Sequence, residues 1–425
     1  MVDCDAVVVG GGFAGVTAAR ELASRGLSTI LLEARDRLGG RTWLVDFAGR
    51  SVELGGTWIH WSQPHVWAEM TRYGLAIEED VLTFDAGLLG SPPRRYPPDE
   101  AFAKVAGVFN RYATAADRSA LPRPYDPLYD AAALEIDQLS MEDRLDELGI
   151  SEADRVWVSG LLYSMAGSPL NESGLMPVLR WMALGGWGDM DRTFGGYRPV
   201  GGTPAILQAM LSDGRVDVRL SSPARAVEVS DDGVRVTTRS GETIAARLGV
   251  MAAPVNVWPT IEFSPALPPS HRNAGKEGMG KPHYDKVFIH VRGDIGRVFA
   301  ELPAPEPLNY FLTEKYDGDT QIIVGTNQNP SLDISDKQQV AETIRRHVPE
   351  IDEVLDVRGH AWAADEYSRG GNTFHRPGQL RYLADLQKPL GRLAFAGADI
   401  ATGYFGHIDG AIESGLRAAR VLSVR

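Results

Sequence analysis

Three glycines near the start of the chain, Gly10, Gly12 and Gly15, stand at the spacing that brings backbone against a pyrophosphate. The first permits a tight turn, the second a close approach to the ligand, and the third close packing of a helix on a strand. Glu33 follows eighteen residues after Gly15, at the end of a second apolar run, where an acid accepts hydrogen bonds from ribose hydroxyls. The same acid repels a 2′-phosphate, so NADP is disfavoured while NAD and FAD remain.

Two more glycine pairs lie close behind, Gly39 and Gly40 in "EARDRLGGRTW" and Gly55 and Gly56 in "ELGGTWIH". They predict backbone packed against something large and flat, with Arg41 placed to meet phosphate charge. A nicotinamide enzyme has no need of this second cradle. A third glycine-rich stretch, "FAGADIATGYFGHIDGAIESG", nearly closes the chain. It reads as a strand that delivers Gly397 and Asp399 to a turn, then a helix from about Ile408 whose first N–H groups stabilise negative charge.

These loops need elements to hold them. "DAVVVGGGFAGVTAARELASRGLSTILLEA" parses as strand, glycine turn, helix, strand, a βαβ unit. Val7 to Val9 run unbroken, as in a parallel strand buried on both faces, and Val16, Ala19, Leu22 and Ala23 follow helical spacing up to a cap at Gly26. From Leu82 to about Tyr125 the composition turns to proline and arginine, and "MEDRLDELGI" and "EADRVWVSGLLYSMAG" then read as helices. Short strands return between Arg215 and Ala253; "KVFIHVRG" and "TQIIVGT" are further strands, and "DKQQVAETIRRHVPE" is a surface helix. The expected fold class is α/β: a Rossmann-like FAD-binding domain of residues 1–81, 197–270 and 378–425, interleaved with an α+β substrate-binding domain of residues 82–196 and 271–377.

Composition excludes several classes of function. A chain of 425 residues exceeds one compact core, so two domains are expected. A formal charge of -13 leaves no basic excess for a phosphate backbone, which argues against nucleic acid as a partner. Cys4 is the only cysteine, so an intrachain disulfide and a thiolate metal cluster are both impossible, and a reducing, cytoplasmic setting is expected. The histidines show no metal-ligand spacing, so no metal is assigned. No run approaches the ~20 apolar residues of a membrane span, and neither signal peptide nor membrane anchor is read.

Taken together, "GGGFAG", "EARDRLGGRT", "ELGGTWIH", "YRPVGGTPAILQAM", "DKVFIHV", "HAWAADEYSRGG" and the C-terminal stretch resemble the flavin-dependent amine oxidases of monoamine and polyamine oxidase type. "VNVWPTIEFSPALP" and "IHVRG" resemble the bacterial branch that includes 6-hydroxynicotine oxidase. The resemblance implies oxidation of a C–N bond: hydride passes from the carbon beside nitrogen to FAD, the imine hydrolyses in water, and oxygen reoxidises the flavin to give hydrogen peroxide. A small amine and O2 are the implied partners. A homodimer is only the commonest closed assembly.

The resemblance also carries residues over. Lys286 matches the lysine held near the flavin through a water; strand alternation sets it on one face with Phe288 and His290. It is one of only seven lysines, and a buried lysine of lowered pKa suits the work. Trp362 matches a tryptophan beside the ring, and Trp58 and His60 follow the Gly55–Gly56–Thr57 turn toward it. Expected flavin contacts are Arg35, Gly397, Asp399, His407, Ile408 and Ala411, with backbone at Val227 meeting adenine.

Two departures stand out. Asn372 occupies the place where covalent members carry the cysteine that bonds the flavin, so non-covalent FAD is expected. His407 replaces the tyrosine that forms half of the usual aromatic cage, and neither Asn372 nor Thr373 supplies the other half. A polar pair there predicts hydrogen bonding to a functionalised or secondary amine, with Asn372, Thr373, Trp58 and Tyr404 as substrate contacts. Three other readings stay open at this level. One is a flavin dehydrogenase or desaturase that uses another electron acceptor, one a natural-product tailoring oxidase acting on an N-acyl amine, and one a catalytically silent flavin-binding scaffold.

Overall fold

The strand Cys4–Val9 and the strand Thr29–Leu32 are buried along their length and pair in parallel, Val8 opposite Leu31. The helix Phe13–Ser24 between them starts at Gly12 and ends where Gly26 takes a left-handed φ of +83°. This βαβ unit anchors the molecule, which a computed structural model describes over residues 2–80, 83–187, 196–279 and 283–422.

Two large sheets dominate the described residues. In the first, eight-stranded sheet, Cys4–Val9 lies between Thr29–Leu32 and Thr243–Met251, and the strand Leu393–Phe395 pairs with Thr243–Met251 from the far end of the chain. The strand Val216–Arg219 flanks Thr29–Leu32, and Val234–Thr238, Ala224–Val229 and Glu262–Ser264 complete the other side. The second, seven-stranded sheet runs in the order Glu353–Gly359, Asp285–Arg292, Thr320–Asn327, Tyr310–Asp317, Val298–Glu301, Ala86–Leu89, Arg94–Tyr96. The expected boundary at residues 81 and 82 lies outside the described residues.

The second sheet is covered on both faces. Val287, Ile289 and Val291 pack with Val340 and Ile344 of the helix Lys337–His347, whereas Phe288, Phe299, Leu312, Ile322 and Val324 form a separate cluster on the opposite face. Helices Glu152–Ala166 and Leu175–Leu184 form a third core with Phe374 and Phe405. No helix among the described residues is long and apolar enough to cross a membrane.

The two ends of the chain meet directly. The C-terminal helix Ile408–Leu422 lies on the helix Phe13–Ser24 where Gly415 faces Ala14: a Cβ at Gly415 would fall 2.4 Å from the Ala14 carbonyl oxygen. Only glycine permits that approach.

Candidate active site

One cavity takes in the glycine loops of both chain ends and one face of the second sheet. At its nucleotide end, the first turn is locked by Gly15, whose hypothetical Cβ would sit 1.8 Å from the Gly10 carbonyl oxygen. The helix therefore starts directly against the strand, as the spacing of Gly10, Gly12 and Gly15 predicts. Gly39 donates its N–H to the Gly11 carbonyl at 2.9 Å, which ties the second glycine pair to the first loop.

Glu33 is buried at the end of its strand and lines the cavity. Its carboxylate accepts from the backbone N–H of Gly11 at 2.6 Å and of Arg35 at 2.8 Å, which fixes its direction. Arg35 also lines the cavity and is held by Asp365 at 2.6 Å. Arg41 donates to Asp399 at 2.7 Å and presents its remaining surface to the cavity. Gly55, Gly56, Thr57, Trp58, Gly397, Ile408 and Ala411 complete the expected lining.

Lys286, on the strand Asp285–Arg292, lines the cavity. Its Nζ donates to the Gly55 carbonyl at 2.7 Å and to Thr57 Oγ1 at 2.6 Å, and lies 4.7 Å from the Trp58 ring centroid. Burial pushes its pKa down to about 8; Glu314 and Glu53 pull it up and Arg198 pulls it further down. A neutral amine has two N–H groups, so these two bonds leave its lone pair available to accept a proton. Trp58 is fixed in turn by its indole N–H, which donates to Asp80 at 2.5 Å.

Trp362 is buried beside this group and lines the cavity. Its indole N–H donates to the Leu54 carbonyl at 3.0 Å, and its backbone N–H to Asp285 at 2.9 Å. Gly55 is squeezed between Trp362 and Arg41: a Cβ there would lie 2.0 Å from the Arg41 carbonyl oxygen and 3.1 Å from the Trp362 ring.

His407 and Asn372 both line the cavity. The His407 Nδ1 stands 3.0 Å from the Phe405 carbonyl, an acceptor only, so Nδ1 carries a proton. Trp181 meets this imidazole edge-on with centroids 5.5 Å apart, so an aromatic wall is present, supplied by the helix Leu175–Leu184, which sequence reading did not single out.

Five expected contacts lie elsewhere. Val227 is fully buried in the sheet core opposite Val236, and the cavity reaches Ser222, Pro223 and Ala224 instead. Asp399 is buried and does not line the cavity, and its oxygens accept from Arg41, Thr373 and the Val255 N–H. Burial raises the Asp399 carboxyl, but Arg41, Thr373 and Val255 outweigh it and hold the group below the usual carboxylate range. Thr373 spends its hydroxyl on Asp399 at 2.5 Å and is fully buried. Tyr404 is also fully buried and donates to Ser62 at 3.1 Å, while His60 packs on Trp61 with its Nδ1 2.8 Å from the Ser62 hydroxyl. Neither lines the cavity.

Sequence reading also passed over Tyr284, Tyr310, Glu301 and Tyr367, all of which line the cavity. Glu301 closes the run Val298–Glu301 and resembles a charged strand end in sequence. Only strand register shows that it faces inward.

Residues 13–423 match the family model for flavin containing amine oxidoreductase. The chain belongs to this family. The oxidoreductase is 40% identical over 427 residues to nicotine dehydrogenase of Pseudomonas putida (strain DSM 28022 / S16), covering 98% of this chain and 88% of that protein. It is 38% identical over 432 residues to pseudooxynicotine dehydrogenase of Pseudomonas sp, covering 97% and 85%. A solved structure of putrescine oxidase carrying the A394C mutation shares the fold at a TM-score of 0.83, with 23% identity over 100% of this chain and 99% of that one.

The oxidoreductase is an FAD-dependent enzyme acting on amine donors. Its cavity fits that cofactor in two respects: glycines from both chain ends line it, with room at Gly12 where a Cβ would meet nothing nearer than 3.8 Å, and Glu33 and Arg41 offer an acceptor for ribose and a cation for phosphate.

Proposed function

We propose that this oxidoreductase oxidises the C–N bond of a secondary or functionalised amine to an imine. One observation carries the reading: Lys286 Nζ is held by Gly55 and Thr57, beneath Trp58, in the same cavity that both glycine loops line. Bound FAD accepts the hydride equivalent from the carbon beside nitrogen. Lys286 supplies a proton acceptor that keeps the amine unprotonated, Trp58 and Trp362 wall the reacting position, and His407 with Asn372 offers hydrogen bonds to a polar substituent. Asn372 has no thiol to bond a flavin, which supports non-covalent FAD.

The first sheet and its glycine loops make up the FAD-binding unit in this reading (1–81, 197–270 and 378–425), and the second sheet with the helices makes up the substrate unit (82–196 and 271–377). A cytoplasmic setting rests on the single cysteine, and a homodimer on the frequency of that assembly.

The test is anaerobic mixing of the oxidised holoenzyme with primary, secondary and N-acyl amines while the visible flavin band is followed. Bleaching by secondary amines is expected. A yellow enzyme that none of them bleaches overturns the reading.

The two relatives above are named as dehydrogenases, which favours a second reading of the oxidative half-reaction: electrons leave to an acceptor other than O2. Admitting O2 and then a one-electron protein acceptor to the reduced enzyme separates the two. Prompt return of the yellow colour with hydrogen peroxide identifies an oxidase. Slow return with O2 and fast return with the protein acceptor identifies a dehydrogenase.

A further inference from the structure

The ring of Trp58 is shared by two cations. Lys286 Nζ lies 4.7 Å from its centroid and the Arg198 guanidinium carbon 5.3 Å, so the two charges are separated by no more than the sum of these distances, about 10 Å. Lys286 and Trp58 line the cavity, whereas Arg198 does not. The strand Tyr197–Pro199 sets Arg198 in this place: Tyr197 bridges to Ile59, the neighbour of Trp58, and Arg198 pairs with Glu78 of the strand Ile77–Glu79, just before Asp80.

Two carboxylates fix this arrangement. One oxygen of Asp80 accepts from the Trp58 indole N–H at 2.5 Å and from Arg198 Nε at 2.7 Å, which ties the ring to the guanidinium. Arg198 Nη1 donates to Glu314. Glu314 is the extra residue of a bulge in the strand Tyr310–Asp317, since Thr313 pairs with Ile323 and Lys315 with Ile322, and a bulge re-aims a side chain. The Glu314 side chain is 2% exposed and that of Arg198 18%, so salt and water screen the pair weakly.

We infer that Arg198 is a positioning residue for amine oxidation: it seats the Trp58 ring beside Lys286 and, as a cation that cannot give up its charge, disfavours protonation of that lysine. The inference rests on the amine-oxidising reading, which gives Lys286 the part of proton acceptor. The charged groups that face Lys286 among the described residues are Arg198, Glu314 and Glu53, the last at the end of the strand Arg50–Glu53. Burial does most to bring its pKa down to about 8; Arg198 lowers it further, and Glu314 and Glu53 oppose the fall. Two unit charges about 10 Å apart, at an effective dielectric of about 20, change a protonation constant about 10-fold. Arg198 and Glu314 form one ion pair yet act on Lys286 in opposite directions. That opposition separates an electrostatic role from a packing role.

The experiment uses native, Arg198→Gln, Arg198→Lys and Glu314→Gln holoenzymes, each checked for flavin content and melting temperature. The probe is whichever of benzylamine, N-methylbenzylamine, hexylamine and N-methylhexylamine reduces the native flavin fastest. Anaerobic flavin reduction at limiting probe is followed across the pH range around the Lys286 inflection, and one amine throughout keeps the ionisation of the probe common to every profile. Arg198→Gln is expected to move the inflection up by about one pH unit, Glu314→Gln to move it down, and Arg198→Lys to leave it within about 0.3 unit of native. In a Lys286→Met background, Arg198→Gln is expected to shift nothing. Inflections that stay in place, that move the same way in Arg198→Gln and Glu314→Gln, or that still shift without Lys286 overturn the inference while leaving amine oxidation intact. If Arg198→Gln does not hold flavin, Glu314→Gln decides: a downward shift supports the inference and its absence overturns it. If none of the four amines reduces the native flavin, the amine-oxidising reading falls and this inference falls with it.

Discussion

Arg41 and Asp399, at opposite ends of the chain, are joined by a 2.7 Å hydrogen bond in which the guanidinium donates to a fully buried carboxylate. The carboxylate does not touch the cavity, so its effect on the cofactor passes through the arginine. Asp399→Asn leaves the volume but removes the charge that fixes Arg41. The affinity for FAD is expected to fall by about 10-fold to 100-fold, the scale of a charge-assisted hydrogen bond, as read by fluorescence titration of the apoprotein. An unchanged dissociation constant would show that Arg41 holds its position without Asp399.

Lys286 predicts a pH profile. Burial lowers its pKa to about 8, so it carries a proton below that pH and is a neutral proton acceptor above it. The rate of flavin reduction at limiting amine is expected to rise through about pH 8. Lys286→Met is expected to remove that inflection and leave only the ionisation of the substrate amine. The same inflection in the variant would assign it to another group.

Gly55→Ala forces a methyl group into the gap between the Arg41 carbonyl and the Trp362 ring. Overpacking of this kind costs about 1–3 kcal/mol, and here it also displaces the carbonyl that holds Lys286. A lower melting temperature and a reduced flavin-to-protein ratio are the expected results. Gly26→Ala is the comparison: nothing lies within 4 Å of its hypothetical Cβ, so only the strain of a left-handed φ is felt and flavin content stays unchanged.

His407→Phe keeps a ring beside Trp181 but removes both polar ring nitrogens. Amines with a hydrogen-bond donor near the oxidised carbon are expected to lose about 3-fold to 10-fold in kcat/KM, whereas simple alkyl amines are unaffected or improve. Steady-state comparison of the two amine classes decides it. An equal loss for both would make the histidine a packing residue.

Denaturation is expected to release the flavin into the supernatant, because Asn372 stands beside the cavity with its amide oxygen accepting the Thr373 N–H, and it has no nucleophile for the ring. A yellow precipitate after acid treatment would mean a covalent attachment elsewhere.

Local motifs were the legible part. The βαβ unit, its glycines, Glu33 and the terminal helix from Ile408 are each written within some thirty residues, where turn chemistry and period decide the structure. Lys286 was legible because strand alternation gave its face and the motif gave its register. Depth was not legible. Asp399, Thr373 and Tyr404 sit in the right loops but point into the protein, because distant partners such as Arg41 and Ser62 claim their polar atoms. Glu301 and Tyr310 were invisible for a related reason: their place beside Lys286 depends on pairing among four strands whose order in the sheet is not their order in the sequence.

The packing of the helix Ile408–Leu422 on the helix Phe13–Ser24 through Gly415 bears on how the protein is made. A ribosome delivers the first glycine loop long before the second, so a nascent chain that stops short of the helix Ile408–Leu422 lacks part of the cofactor pocket. Vectorial folding can build the βαβ unit early, but the side of the helix Phe13–Ser24 that receives Gly415 stays uncovered until that later helix is made. Flavin capture therefore waits on the joining of two segments that are far apart in sequence.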